Sequence, residues 1–208
     1  MSEETKRTLA ARRDVETTVY QPAEDSRLLA AAVEAVGRGR LLEVGTGSGW
    51  VAARAADVET VTSVVASDVN PHACLAARER ALSGEAGEAR FDVVRADLLS
   101  PFVDGAFDTV AFNPPYLPTD PEREWDDWME RALSGGESGR ELIEPFLETV
   151  GRALAPNGVA LLLVSSLTGY EEVLAHAEAC GFDHEVVVEE SYPFETLSVL
   201  ALTAADDD

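Results

Sequence analysis

Lysine is all but missing from this chain. Lys6 is the only one in 208 residues, and 16 basic side chains in total stand against 39 acidic ones, for a formal net charge of −23. So few cations cannot neutralise a long run of phosphates, which weighs against a nucleic-acid substrate. The acids are spread along the sequence rather than gathered in one block. That spread fits adaptation to high salt, where surplus carboxylates keep a protein hydrated, better than a dedicated surface for a basic partner. At molar salt the screening length falls to about 3 Å, so net charge then says little about partners.

Cysteine is scarce as well. Cys74 and Cys180 are the only two, each within a helical pattern and neither in a motif, so a disulfide framework is excluded and a cytoplasmic location is expected. His72, His176 and His184 share no ligand spacing, and no metal site is expected. No apolar run approaches the length of a membrane span, and Met1-Ser2-Glu3-Glu4 does not open like a signal peptide. There is no internal repeat and no linker, and the length suits one domain. Two phosphate-binding signatures are also absent. No G-x-x-x-x-G-K-[ST] occurs, and the one glycine-rich loop has the spacing G-x-G-x-G rather than G-x-G-x-x-G.

What is present alternates. Residues 1–14 are polar and aperiodic and are expected to form a loose arm; 15–203 read as the domain, and 204–208 as an acidic tail. A helix is expected from Pro22 through Val36, with Glu24 and Asp25 as acids suited to its N-terminus, stopping near Gly37 and Gly39. Strands are expected at Arg40–Val44, Thr60–Ser67, Phe91–Val94, Phe107–Asn113 and Gly158–Ser165, with helices at Trp50–Ala56, Pro71–Leu82, Arg140–Leu154 and Tyr170–Cys180 between or after them. Two further strands, Phe182–Glu190 and Thr196–Thr203, flank Tyr192-Pro193-Phe194 as a closing hairpin. The expectation is an α/β domain with a seven-stranded, mostly parallel Rossmann-like sheet and an antiparallel C-terminal hairpin. Between Leu117 and Gly139 the pattern fails, and a loop of that length usually has a functional role. Trp125 and Trp128 within it either grip a substrate or pin the segment to the core.

The chemistry collects at strand ends. Glu43 precedes Gly45-Thr46-Gly47-Ser48-Gly49, Asp68 ends the second strand, and Asp97 follows the third. A carboxylate beside the glycine loop would repel a pyrophosphate but suits a cationic ligand. Asp68 is placed to accept from a ribose, and Asp97 from an adenine amino group. After the fourth strand stands Asn113-Pro114-Pro115-Tyr116. The prolines fix φ, remove two donors and leave their carbonyls free to accept. An amide, stiff carbonyl-bearing backbone and an aromatic ring therefore converge where open α/β sheets bind ligands.

Glu43-x-Gly45-x-Gly47-x-Gly49, Asp68, Asp97-Leu98 and Asn113-Pro114-Pro115-Tyr116 resemble the motif series of class I S-adenosylmethionine-dependent methyltransferases. More narrowly, the chain resembles the HemK2-type (Mtq2-like) protein-glutamine N5-methyltransferases of archaea and eukaryotes. That match includes Tyr20-x-Pro22-Ala23-Glu24-Asp25-Ser26, Asp68-Val69-Asn70-Pro71, Gly135-Gly136 through Glu141, and Glu195 to Leu200. The extra N-terminal helical domain of the bacterial release-factor enzymes is not expected, and a haloarchaeal source fits the charge.

The resemblance implies S-adenosylmethionine as cofactor. Its methionine half would lie along Glu43, Gly45, Thr46 and Gly47, its ribose on Asp68 and Val69, and its adenine on Asp97 and Leu98. Tyr20, Ser26 and Asn113 would close over the methionine end. The substrate would be the glutamine in the Gly-Gly-Gln tip of a class 1 release factor, held by Asn113, Pro114, Pro115 and Tyr116. The resemblance also implies a heterodimer with a small zinc-binding activator of the Trm112 type, paired with the edge strand near Phe91–Val94. Phe91 and Val93 could equally face this chain's own helices. Three other readings stay open: nucleic-acid adenine-N6 methylation, lysine methylation, and a cofactor-binding subunit that mainly scaffolds a complex.

Overall fold

The computed structural model describes residues 18–83, 87, 89–119 and 128–205. The expected N-terminal arm, most of the 83–88 loop, Trp125 and Asp206–Asp208 lie outside them. Helix α1 (Glu24–Val36) leads into strand β1 (Gly39–Val44), then α2 (Trp50–Ala55), β2 (Val61–Asp68), α3 (Pro71–Leu82), β3 (Arg90–Arg95) and β4 (Phe107–Phe112). A four-residue helix α4 (Trp128–Arg131), α5 (Ile143–Ala153), β5 (Leu154–Ser165), α6 (Tyr170–Ala179), β6 (Phe182–Ser191) and β7 (Thr196–Ala204) complete the described chain.

The seven strands form one sheet in the order β3-β2-β1-β4-β5-β7-β6. β1 pairs parallel with β2 and β4, whereas β7 runs antiparallel to both β5 and β6. Strand order reverses between β1 and β4, which opens a crevice at their carboxyl ends. Adjacent leucines set the layers. Leu41 faces the core shared with Leu29, Val64 and Leu161 under α1, while Leu42 faces the core of Val110, Phe112 and Phe146 under α5. Side chains alternate along a strand, so a buried sheet needs apolar residues at every position of its middle strands. Val110–Phe112 of β4 and Val159–Val164 of β5 meet that need.

Local chemistry sets the ends of the elements. Asn70 caps α3, its Oδ1 accepting from His72 N at 2.9 Å, and Pro71 takes the first helical position. β4 stops one residue short of the expected Asn113, because the prolines cannot extend the ladder. β5 begins at Leu154 rather than Gly158: Phe107 pairs with Leu154 before a register shift, and Asn157 takes a left-handed φ of 61°. α5 begins at Ile143 rather than Arg140, because the Gly135–Arg140 backbone is engaged elsewhere. Gly135 N donates to Leu117 O, Leu117 N to Leu133 O, and Glu141 N to Gly135 O. The irregular segment is thus stitched to itself at both ends.

Phe146 is fully buried, with its ring 4.8 Å from that of Phe112 under the crevice. Phe146→Ala should cost about 3–5 kcal/mol of stability through lost burial and a cavity, read from chemical denaturation. Phe194→Ala, at a 93% exposed position, should cost almost nothing. Equal effects from the two would contradict this packing.

Candidate active site

At the carboxyl end of β1 the backbone turns through Gly45, Gly47 and Gly49 at φ of 64°, 54° and 75°. These are left-handed conformations that other residues adopt only with strain. A Cβ on Gly49 would sit 2.7 Å from Ala77 Cα, so this glycine also lets α3 approach the loop. Glu43 anchors the loop from within the protein. Its Oε2 accepts from the Thr46 hydroxyl and from Ala52 N at 2.9 Å. Asp68 anchors it from the side: Oδ2 accepts from Gly47 N at 2.9 Å and Oδ1 from Asn70 N at 2.8 Å. Burial pushes the Glu43 carboxyl up to about 8; the Thr46 and Ala52 bonds pull it down, and the nearby Asp68 adds to the rise. Burial raises the Asp68 carboxyl too, against its backbone bonds.

The Asn113 side chain is held at one end only. Nδ2 donates to Asp25 Oδ2 at 2.9 Å, while Oδ1 is buried without a partner. Tyr20 Oη donates to the same Asp25 oxygen at 2.9 Å. Asp25 itself is buried at the start of α1. The Tyr116 ring packs against the core on the α1 side, and burial raises both the Tyr20 and Tyr116 hydroxyls far above the usual phenol range. Gly139, at φ 75°, lies against the Tyr116 carbonyl, where a Cβ would meet that oxygen at 2.7 Å. The Gly135–Glu141 stretch thus backs the Asn113–Tyr116 turn.

A cavity of about 630 Å³ joins these parts. Tyr20, Ser26, Glu43, Gly45, Thr46, Gly47, Asp68, Val69, Asp97, Leu98 and Asn113 to Tyr116 all line it. Within it, Glu43 and Thr46 spend hydrogen bonds on each other rather than facing it unpaired, and Leu98 holds a left-handed φ of 45°. Trp128 contributes to the wall and stacks under Arg131, with 5.3 Å from Cζ to the ring centroid. A smaller groove of about 190 Å³ shares Tyr20, Asp25 and Tyr116 with the cavity and runs out to Tyr192 and Glu195. Sequence reasoning took Asp25 for a first-turn helix acid. Its signal was position: Asp25 precedes Leu29, Ala32 and Val36 at helical spacing, so it stands on the stripe that α1 buries.

Among known families, the Methyltransferase small domain matches residues 21–125. A putative protein N5-glutamine methyltransferase of Methanocaldococcus jannaschii is 36% identical over 88% of this chain and 90% of its own length. The human methyltransferase HEMK2 is 34% identical, covering 89% of each chain. The chain belongs to this family of protein N5-glutamine methyltransferases. Among solved structures, the E. cuniculi Mtq2–Trm112 complex, described as responsible for methylating the termination factor eRF1, superposes with a TM-score of 0.69 at 28% identity. That match covers 90% of this chain and 99% of the other.

The family's donor is S-adenosylmethionine, which supplies a methyl group on a cationic sulfur. The residues present fit such a group. The cavity lies where the sheet binds ligands, its glycine turn keeps bulk away, and the acidic side chains in its lining outnumber its one arginine, Arg131. Asp68 would hold the ribose, Asp97 and Leu98 the adenine, and the glycine turn the methionine half.

Glu43 gives a pH test. Its carboxyl retains a proton to about 8 in the folded chain against an ordinary 4.5, so the unfolded chain loses that proton first as pH rises. Stability therefore falls between those two values and levels off above the upper one. Glu43→Gln keeps an acceptor for Thr46 and Ala52 but cannot ionise. Its thermal midpoint should gain on wild type steadily from pH 4.5 to pH 8; parallel curves across that window would contradict the burial of an ionisable group here.

Proposed function

We propose that this chain transfers the methyl group of S-adenosylmethionine to the side-chain amide nitrogen of the glutamine in the Gly-Gly-Gln tip of a class 1 release factor. The carrying observation is the buried, partnerless Asn113 Oδ1 at the end of β4. A buried acceptor without a donor is costly and rarely left so without a reason. Here a substrate N–H is the reason. The Pro114 carbonyl supplies a second acceptor, and the Tyr116 ring covers the flat face of the amide.

An amide nitrogen is a poor nucleophile because its lone pair is delocalised. Catalysis must therefore come from orientation: two acceptors fix both N–H bonds and aim the lone pair along the line of displacement. No general base is assigned within the Asn113–Tyr116 motif, and burial holds the two tyrosines protonated. That state suits a neutral amide better than a lysine ammonium, which must lose a proton before it can attack. Adenine N6 presents a similar planar NH2, but the scarcity of cations argues against a nucleic-acid chain.

The same reading includes a heterodimer with a small zinc-binding activator of the Trm112 type, zinc belonging to that partner. β3 ends the sheet, so its outer backbone is open to strand addition. Phe91 and Val93 pack against the chain's own core, while Val94, Val69 and Leu75 remain exposed around that edge. The catalytic domain in this reading spans 15–203, the working environment is a salt-rich cytoplasm, and among the described residues no helix is long and apolar enough to cross a membrane.

Asn113→Ala should lower methyl transfer to a purified release factor by about 10²-fold or more, while cofactor affinity by calorimetry persists in large part. Near-normal turnover would overturn the clamp. Label appearing on tRNA or DNA and not on the factor would move the substrate to adenine.

A further inference from the structure

We propose that Asp25 is a positioning residue for the transfer: it locks the Asn113 amide in the one orientation that turns Oδ1 toward the substrate, and thereby makes the site selective for an N–H donor. This rests on the reading of Asn113 as the clamp for a planar NH2 group.

The two ends of an asparagine amide are nearly equal in size, so packing alone cannot tell them apart, and only the hydrogen-bond partner can. Asp25 is that partner. It stands 88 residues from Asn113 in sequence, on the first turn of α1, and is 4% exposed. All four bonds it makes are accepted. Oδ2 takes Asn113 Nδ2 and Tyr20 Oη, both at 2.9 Å; Oδ1 takes Ser26 N at 2.6 Å and Ser26 Oγ at 3.2 Å. Among the described residues no cation pairs with it. A carboxylate has no donor, so it can never accept the reversed amide. In the reversed state, Asn113 would set its oxygen against a carboxylate and two N–H bonds against the substrate's own N–H bonds. Neither side tolerates that arrangement.

An asparagine at position 25 cannot replace this pattern. It carries one acceptor and one donor end, and donors face it from both sides. If its oxygen serves Ser26, its NH2 meets Asn113 and Tyr20. Asn113 then gains by reversing, which offers its own oxygen to residue 25 and its N–H bonds to the cavity. The loss in Asp25→Asn is therefore an amide turned the wrong way, with the shape of the site unchanged.

Three readings on the full-length chain in complex with the proposed activator test this. Asp25→Asn should lower kcat on a Gly-Gly-Gln peptide by about 10²-fold while leaving cofactor affinity near that of wild type. In an Asn113→Ala background the same substitution should cost little more, because the two residues act as one unit. In wild type, side-chain amide NMR should show a single Asn113 Nδ2 signal pair with slow hydrogen exchange, a reading that needs neither the variant nor the substrate. Turnover of Asp25→Asn close to wild type, fully additive losses in the double variant, a cofactor affinity that falls in step with kcat, or a rapidly exchanging Asn113 amide would each overturn the proposal. If wild type leaves the glutamine peptide unmethylated, the substrate assignment fails, and the NMR measurement alone decides the role of Asp25.

Discussion

Three carboxyl groups, those of Asp25, Glu43 and Asp68, are drawn into one cavity whose lining holds a single arginine, Arg131, and hydroxyl and N–H donors hold each in place. Removing a charge from water is expensive unless it is hydrogen-bonded, so these bonds fix the local backbone as firmly as they fix the acids. Glu43 ties the glycine turn to the start of α2. Asp68 ties the same turn to the start of α3. Asp25 ties α1 to the end of β4. The crevice at the strand ends is therefore shaped by where three acids find donors. The acidic lining suits a cationic methyl donor better than a pyrophosphate.

The second constraint is the unpaired Asn113 Oδ1. Most buried polar atoms are satisfied within a fold. Here the fold satisfies the amide nitrogen and gives the oxygen no donor, and in the proposed reading a substrate N–H is that donor. Pro114 and Pro115 keep the adjoining carbonyls from being consumed by a ladder, and Gly139 lets the returning chain press against Tyr116. In the proposed reading, strand, turn and returning loop serve one end, the immobilisation of a flat NH2 group.

Much of this was legible in the sequence, for identifiable reasons. The strands that position the site are buried on both faces and read as apolar runs; Pro71 and Asn70 mark a helix start; the acids and glycines sit at fixed offsets from strand ends. What escaped was whatever depends on burial contributed from afar. Asp25 looked like an ordinary helix-start acid, because nothing near it in sequence shows that α1 lies across the end of β4. Glu43 was expected to face a ligand, yet Thr46 and Ala52 occupy its Oε2. The four-residue start of β5 before Gly158 was hidden because its residues pair through a register shift rather than an alternating pattern.

The central claim is that the Asn113 clamp holds a glutamine amide. Mass spectrometry of the class 1 release factor, purified from cells with and without this gene, addresses it most directly. The account predicts a single methyl group on the side-chain nitrogen of the Gly-Gly-Gln glutamine when the gene is present, and its loss when the gene is deleted. An unmodified glutamine in both, or a methyl group that survives the deletion, would contradict it.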